Sequence, residues 1–154
     1  MYTFTVFALA LVLPLLSIWI EHQFRGATIS AELVARWFVF WAIGVRLFMA
    51  GVRQIAQPAY TAQVILGLKS PDALLVVREL GFANAALGAV ALISIFARPW
   101  APPIALVGAI FFGLAGVNHL LHGDRTRLQS IAMISDLFIA VVLAACVIGI
   151  WKGR

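Results

Sequence analysis

Apolar residues fill five long stretches of this chain, at roughly 3–20, 33–52, 74–96, 100–121 and 131–151, with polar residues gathered between them. About 20 consecutive apolar residues cross a bilayer as a helix. Little sequence is left over for anything else, so residues 1–154 read as a single transmembrane domain. The pattern predicts an all-α, polytopic membrane protein with five transmembrane helices. Spans two to five form an antiparallel four-helix bundle, and the N-terminal helix packs outside it. Ser30 followed by Glu32 reads as a capped helix start. Ser70-Pro71-Asp72 is a second start, and Pro102 and Pro103 fit the first turn of the fourth span. Gly123 reads as a C-terminal stop, and Pro14 as a kink inside the first span. Residues 59–68, after Pro58, read as a short interfacial or re-entrant helix.

The spans alternate in direction, which defines two faces. Face A carries the N-terminus and the connections around 53–73 and 122–130. Face B carries those around 21–32 and 97–101 and the C-terminus. Trp19, Trp37, Trp100 and Trp151 fall at span ends on face B, with Trp41 one turn deeper, a lopsided interfacial belt. The polar residues within the spans favour face A: Arg46 and Arg53 in span two, Glu79 and Asn84 in span three, Asn118, His119 and His122 ending span four, and Asp136 in span five. A charge at depth costs roughly 3 kcal/mol even on lenient scales, so it calls for a partner or a purpose. At 1.5 Å per residue Arg46 lies roughly 10 Å from its span's end and Glu79 roughly 8 Å from its start. Arg46 is therefore expected to pair with Glu79 or Asp136, and Glu79→Gln to destabilise more than Glu21→Gln. Arg46 and Arg53 share a helix face, as do Asn118 and His122. Gly81, Ala85 and Gly88 form a small-residue stripe suited to close helix approach.

Composition narrows the function. The chain is 64% hydrophobic with only 11% charged residues, and its mean hydropathy is +1.05. Its net charge of +5 comes without any basic run, so a nucleic-acid partner is not expected. A lone Cys146 within the last span offers neither a disulfide framework nor a cysteine metal cluster. No third histidine stands near His119 and His122, and no metal site is expected. Met1-Tyr2-Thr3-Phe4 lacks a basic leader region, so the first span is expected to stay as a helix.

Two segments carry a likeness. Residues 36–58, RWFVFWAIGVRLFMAGVRQIAQP, resemble the first helix of DoxX-like membrane proteins, and residues 78–99, RELGFANAALGAVALISIFARP, resemble the next. The chain also resembles a sister family of small bacterial membrane proteins of unknown function. The likeness covers about residues 33–150 and makes span one an addition. It implies a four-helix bundle in the bacterial inner membrane, in some members a small subunit beside quinone-linked sulfur oxidation or redox-stress proteins. It leans toward a cytoplasmic C-terminus, which the tied count of basic residues on the two faces leaves open.

Three readings follow. In the first, the face-A cluster binds a quinone or lipid-like molecule as an accessory to membrane redox chemistry, with Arg46 and Glu79 as anchors, His122 as a titratable donor, and Phe48, Phe111 and Phe112 as walls. In the second, the ionic cluster is a packing clamp in a scaffold or accessory subunit, partnered by another membrane protein or a second copy. The third is a small transporter. An independent enzyme is not expected. The alternative for His119 and His122 is capping the end of span four.

Overall fold

The structure is a computed structural model describing residues 2–121, 123 and 125–153, with the side chain of Tyr2 left aside. Helices dominate, and there is no strand among the described residues. Five are long and apolar enough to cross a membrane: α1 (Thr3–Arg25), α2 (Ala31–Ala56), α3 (Asp72–Ile93), α4 (Arg98–Leu121) and α5 (Arg127–Lys152). The chain is an integral membrane protein of the all-helical kind.

Local sequence explains the ends. Gly26 closes α1 at φ +63°, a left-handed conformation that glycine adopts without a Cβ clash. Ser30 caps α2 by accepting from Leu33 N–H at 3.2 Å. Thr126 and Gln129 form a reciprocal capping box that starts α5. Arg125 Nη1 donates to the carbonyls of His119 and Leu120 at 2.8 and 2.7 Å, closing α4.

Three stretches are wound as π-helix: Ala8–Val12 in α1, Val39–Val45 in α2, and the short segment Tyr60–Ile65 between α2 and α3. The first precedes the fully buried Pro14, whose ring removes an N–H and crowds the preceding turn. The first two stretches pack against each other at the centre of the molecule. Such wide turns shift side-chain direction by about one position.

α2 is the hub, touching α1, α3, α4 and α5. It runs antiparallel to α3, since Gly44 meets Leu92 while Gly51 meets Ala85. Ile43 lies against Gly108 of α4, and Phe38, Val39, Ala42 and Ile43 are almost completely buried. The departure from a regular bundle lies in α3, which leans chiefly on α2, while α4 pairs most closely with α5. α1 packs along α2 and touches α5.

Glycine sets the closest approach. A Cβ on Gly88 would stand 2.8 Å from Phe48 Cα, a backbone contact that no rotamer change relieves. A Cβ on Gly113 would meet only Ala140 Cβ, at 3.7 Å. Gly88→Ala is therefore expected to lower unfolding stability in detergent by about 1–3 kcal/mol. Gly113→Ala should be neutral or slightly stabilising, because alanine is the better helix former by about 1 kcal/mol. Equal losses in the two variants would contradict this packing.

Candidate functional site

Arg46 lies just beyond the π-helical stretch of α2, and its guanidinium points between α4 and α5. Its Nη2 donates to Asp136 Oδ1 at 2.7 Å and to Ser135 Oγ at 3.2 Å. The guanidinium also sits 5.1 Å from the centre of the Phe112 ring. Asp136 belongs to the buried stripe of α5 with Ala132, Ile139 and Leu143, and is only 6% exposed. Ser135 in turn donates to the Ala132 carbonyl at 2.8 Å. One arginine thus ties α2 to α4 and α5. Its Nη1 remains buried without a hydrogen-bond partner.

Beside this pair is a pocket of about 330 Å³ opening toward face A. Arg46 and Asp136 line it, together with Arg53, Gln54, Asn84 and His119. Its apolar walls include Val6 and Leu9 of α1 and Phe111 and Phe112 of α4. Gln54 and Asn84 are buried partners: the Asn84 amide donates to Gln54 Oε1 at 2.9 Å. Arg53 stacks over the Tyr60 ring at 3.5 Å, fixing the π-helical connection against α2. Gln129 Nε2 donates to the Ile65 carbonyl at 3.3 Å, which fastens that connection to α5. The pocket is thus framed by all five helices and a tethered connection. Its lining carries two arginines against one carboxylate, so it suits an electron-rich or anionic head group attached to an apolar body.

The residues expected at this site separate into three groups. Arg46, Arg53, Asn84, His119 and Asp136 share the pocket. Glu79 does not: it is exposed on α3. The buried face of α3 runs through Val77, Gly81, Asn84 and Gly88, and Glu79, two residues from Gly81, points about 200° away from it. Of the two acids expected for Arg46, Asp136 is the one it meets and Glu79 is not. Asn118 is likewise on the exposed face of α4 and outside the pocket lining. Phe48, expected as a wall, is also absent from the lining; it faces Gly88. His122 lies outside the described residues. Capping of α4 falls to Arg125 among the described residues, and the His119 side chain is turned to the pocket instead.

Sequence reasoning passed over a second ion pair at the face-B end. Glu21 of α1 is 7% exposed and forms a salt bridge with Arg36 of α2. Trp37 Nε1 donates to Glu21 Oε2 at 2.8 Å, and one turn deeper Trp41 Nε1 donates to Ser17 Oγ at 2.9 Å. Two of the five tryptophans thus join α1 to α2, whereas Trp19, Trp100 and Trp151 are exposed in the manner of a belt. A usable signal was present: Glu21 and Arg36 stand almost equally far from the middle of the α1–α2 connection, so an antiparallel hairpin brings them to similar depth. Gln54 carried no comparable signal. Among the described residues no three His, Cys, Asp or Glu side chains converge as metal ligands.

Fold and site together define a five-span membrane protein with a charged, partly apolar pocket set into one face. The chain belongs to DUF6790, a family of unknown function, which it matches over residues 1–153. That agrees with the likeness to a family of unassigned function, and the match carries no link to DoxX-like proteins. No curated protein and no solved structure matches the chain significantly.

The two glutamates give a direct test. Glu21→Gln removes the charge opposite a part-buried arginine and the acceptor of Trp37, and is expected to cost about 1–3 kcal/mol of stability in detergent. Glu79→Gln removes a charge that has no packed partner among the described residues and faces an apolar surround, and should be neutral or stabilising. This reverses the order expected from depth alone. A greater loss in Glu79→Gln would contradict the geometry.

Proposed function

We propose that the face-A pocket binds one small amphipathic molecule of the quinone or lipid class, and that the protein serves membrane redox chemistry as an accessory rather than as an independent enzyme. The observation that carries this reading is the buried Arg46 Nη1 without a partner beside an apolar-walled pocket. An unsatisfied donor of this kind costs about 1–3 kcal/mol, more for a charged group, and a ligand oxygen would relieve it. Arg53 at the rim and the Asn84 amide offer further polar contacts for the head. Val6, Leu9 and the Phe111–Phe112 pair suit an apolar ring or tail. The likeness of residues 36–58 and 78–99 to DoxX-like helices favours a quinone within this class, and a bacterial inner membrane with a cytoplasmic C-terminus belongs to the same proposal.

A second reading, a scaffold or accessory subunit, draws on a different observation. Glu79 is exposed about two turns into α3, among the exposed apolar side chains of Leu75, Val76 and Phe82. A carboxylate there is costly against lipid and is relieved by a neighbouring subunit or a second copy of this chain.

Titration of the detergent-purified protein with a short-chain benzoquinone, followed by native mass spectrometry, tests the first reading. The double variant Arg46→Gln/Asp136→Asn removes both charges together and keeps a hydrogen-bonding pair. It should retain helical content while weakening quinone retention by about tenfold, as expected for loss of one charge-assisted hydrogen bond. Retention equal to that of the parent, or no retention by the parent, would contradict the reading.

A further inference from the structure

A second cavity lies on the other face. It measures about 430 Å³ and is framed by the end of α1, the α1–α2 connection, the start of α2 and the start of α4. Unlike the face-A pocket it is rich in opposite charges: Glu21, Glu32, Arg36 and Arg98 all line it. Glu21 and Arg36 neutralise one another in the wall. Glu32 and Arg98 do not: both are exposed, and neither forms an ion pair among the described residues. The cavity thus presents a carboxylate and a guanidinium that share a space without touching. Arg36, held to Glu21 through one of its nitrogens, adds a second guanidinium to the lining.

Position narrows the occupant. The exposed Trp19, Trp100 and Trp151 mark the face-B interface, and the cavity lies at that end of the helices. Backbone donors at the start of α4 are scarce, because Pro99 and Pro102 in the cavity wall carry no N–H. On that wall recognition falls to the Arg98 side chain. An anionic group alone would meet Glu32 as a repulsive neighbour, and a cation alone would meet Arg98.

We propose that the face-B cavity binds a zwitterionic head group carrying a phosphate and a primary ammonium, as in phosphatidylethanolamine. The phosphate is held by Arg98, with the Arg36 guanidinium beside it, and the ammonium by Glu32. Guanidinium suits phosphate through paired N–H donors, and an ammonium suits a carboxylate. This site is separate from the face-A pocket and does not depend on what that pocket holds.

The test uses the full-length protein in detergent, supplied in turn with phosphatidylethanolamine, phosphatidylcholine and phosphatidylglycerol and analysed by native mass spectrometry. The parent is expected to retain phosphatidylethanolamine about tenfold better than phosphatidylglycerol, the worth of roughly one charge-assisted contact. Glu32→Gln should abolish that preference by removing the ammonium partner. Arg98→Gln should weaken retention of both lipids. Both residues are exposed, so the variants are expected to fold, and unchanged thermal unfolding verifies it. Arg78→Gln, on the outer surface of α3, is the control and should behave as the parent. Competition by soluble glycerophosphoethanolamine without lipid retention would assign the site to a free small molecule with the same head group. Equal retention of the three lipids, unmoved by Glu32→Gln and Arg98→Gln and without competition by the soluble head group, would overturn the proposal.

Discussion

An arginine within an apolar bundle has to find an anion, a ring face or water, and α2 carries three of them. Arg36 meets Glu21 of α1, Arg46 meets Asp136 of α5 and the ring of Phe112, and Arg53 stacks on Tyr60. Each contact reaches a different element, so the arginines of the central helix prescribe what surrounds it. The desolvation of such pairs offsets much of their attraction, and their net worth is therefore modest. Breaking one is another matter, because the survivor is left charged and buried. The pairs accordingly specify which helices meet and at what depth, while close contacts between apolar faces supply the bulk of the packing.

That packing is made possible by small residues on α3 and α4. Gly81, Ala85 and Gly88 let α2 approach to backbone contact, and Gly108 receives Ile43. In lipid, association of helices depends on such contact and not on expulsion of water. The π-helical stretch at Val39–Val45 fills the middle of α2 with buried side chains and lies between Arg36 and Arg46. Face B and face A are thereby kept apart: each has its own ion pair and its own cavity, with the dry segment of Ala42 and Ile43 between them. The two cavities also differ in kind. One is walled by aromatic and aliphatic side chains with an excess of arginine, and the other by opposed charges.

Depth was legible in the sequence, and direction around the helix only in part. Counting residues from span ends put Arg46, Glu79 and Asp136 at comparable depth, and from depth alone either acid suited the arginine. Asp136 shares the buried stripe of Ala132, Ile139 and Leu143, whereas Glu79 falls opposite Gly81 and Gly88. Helical spacing held that distinction, because the glycine stripe already marked the packed face of α3. Glu21 was hidden for another reason. It lies beyond the apolar run of the first span and looks like an interfacial charge, but α1 continues to Arg25 and carries it into contact with α2. The π-helical stretches are the part least open to sequence reading, since they depend on how α1 and α2 fit together and no residue type demands them. Only Pro14 gave any sign of the first.

Arg46 and Asp136 act as one unit that joins α2 to α5 and lines the face-A pocket. A double-mutant cycle on unfolding stability in mixed detergent, using Arg46→Gln, Asp136→Asn and the two combined, measures this most directly. Each single change leaves a buried charge unpaired and is expected to cost about 3–5 kcal/mol. The combined change should cost little more than either alone, so the coupling energy should reach or exceed about 3 kcal/mol, the top of the range usual for residues in contact. Additive losses, with no coupling between the two positions, would show that the two residues do not act as a pair.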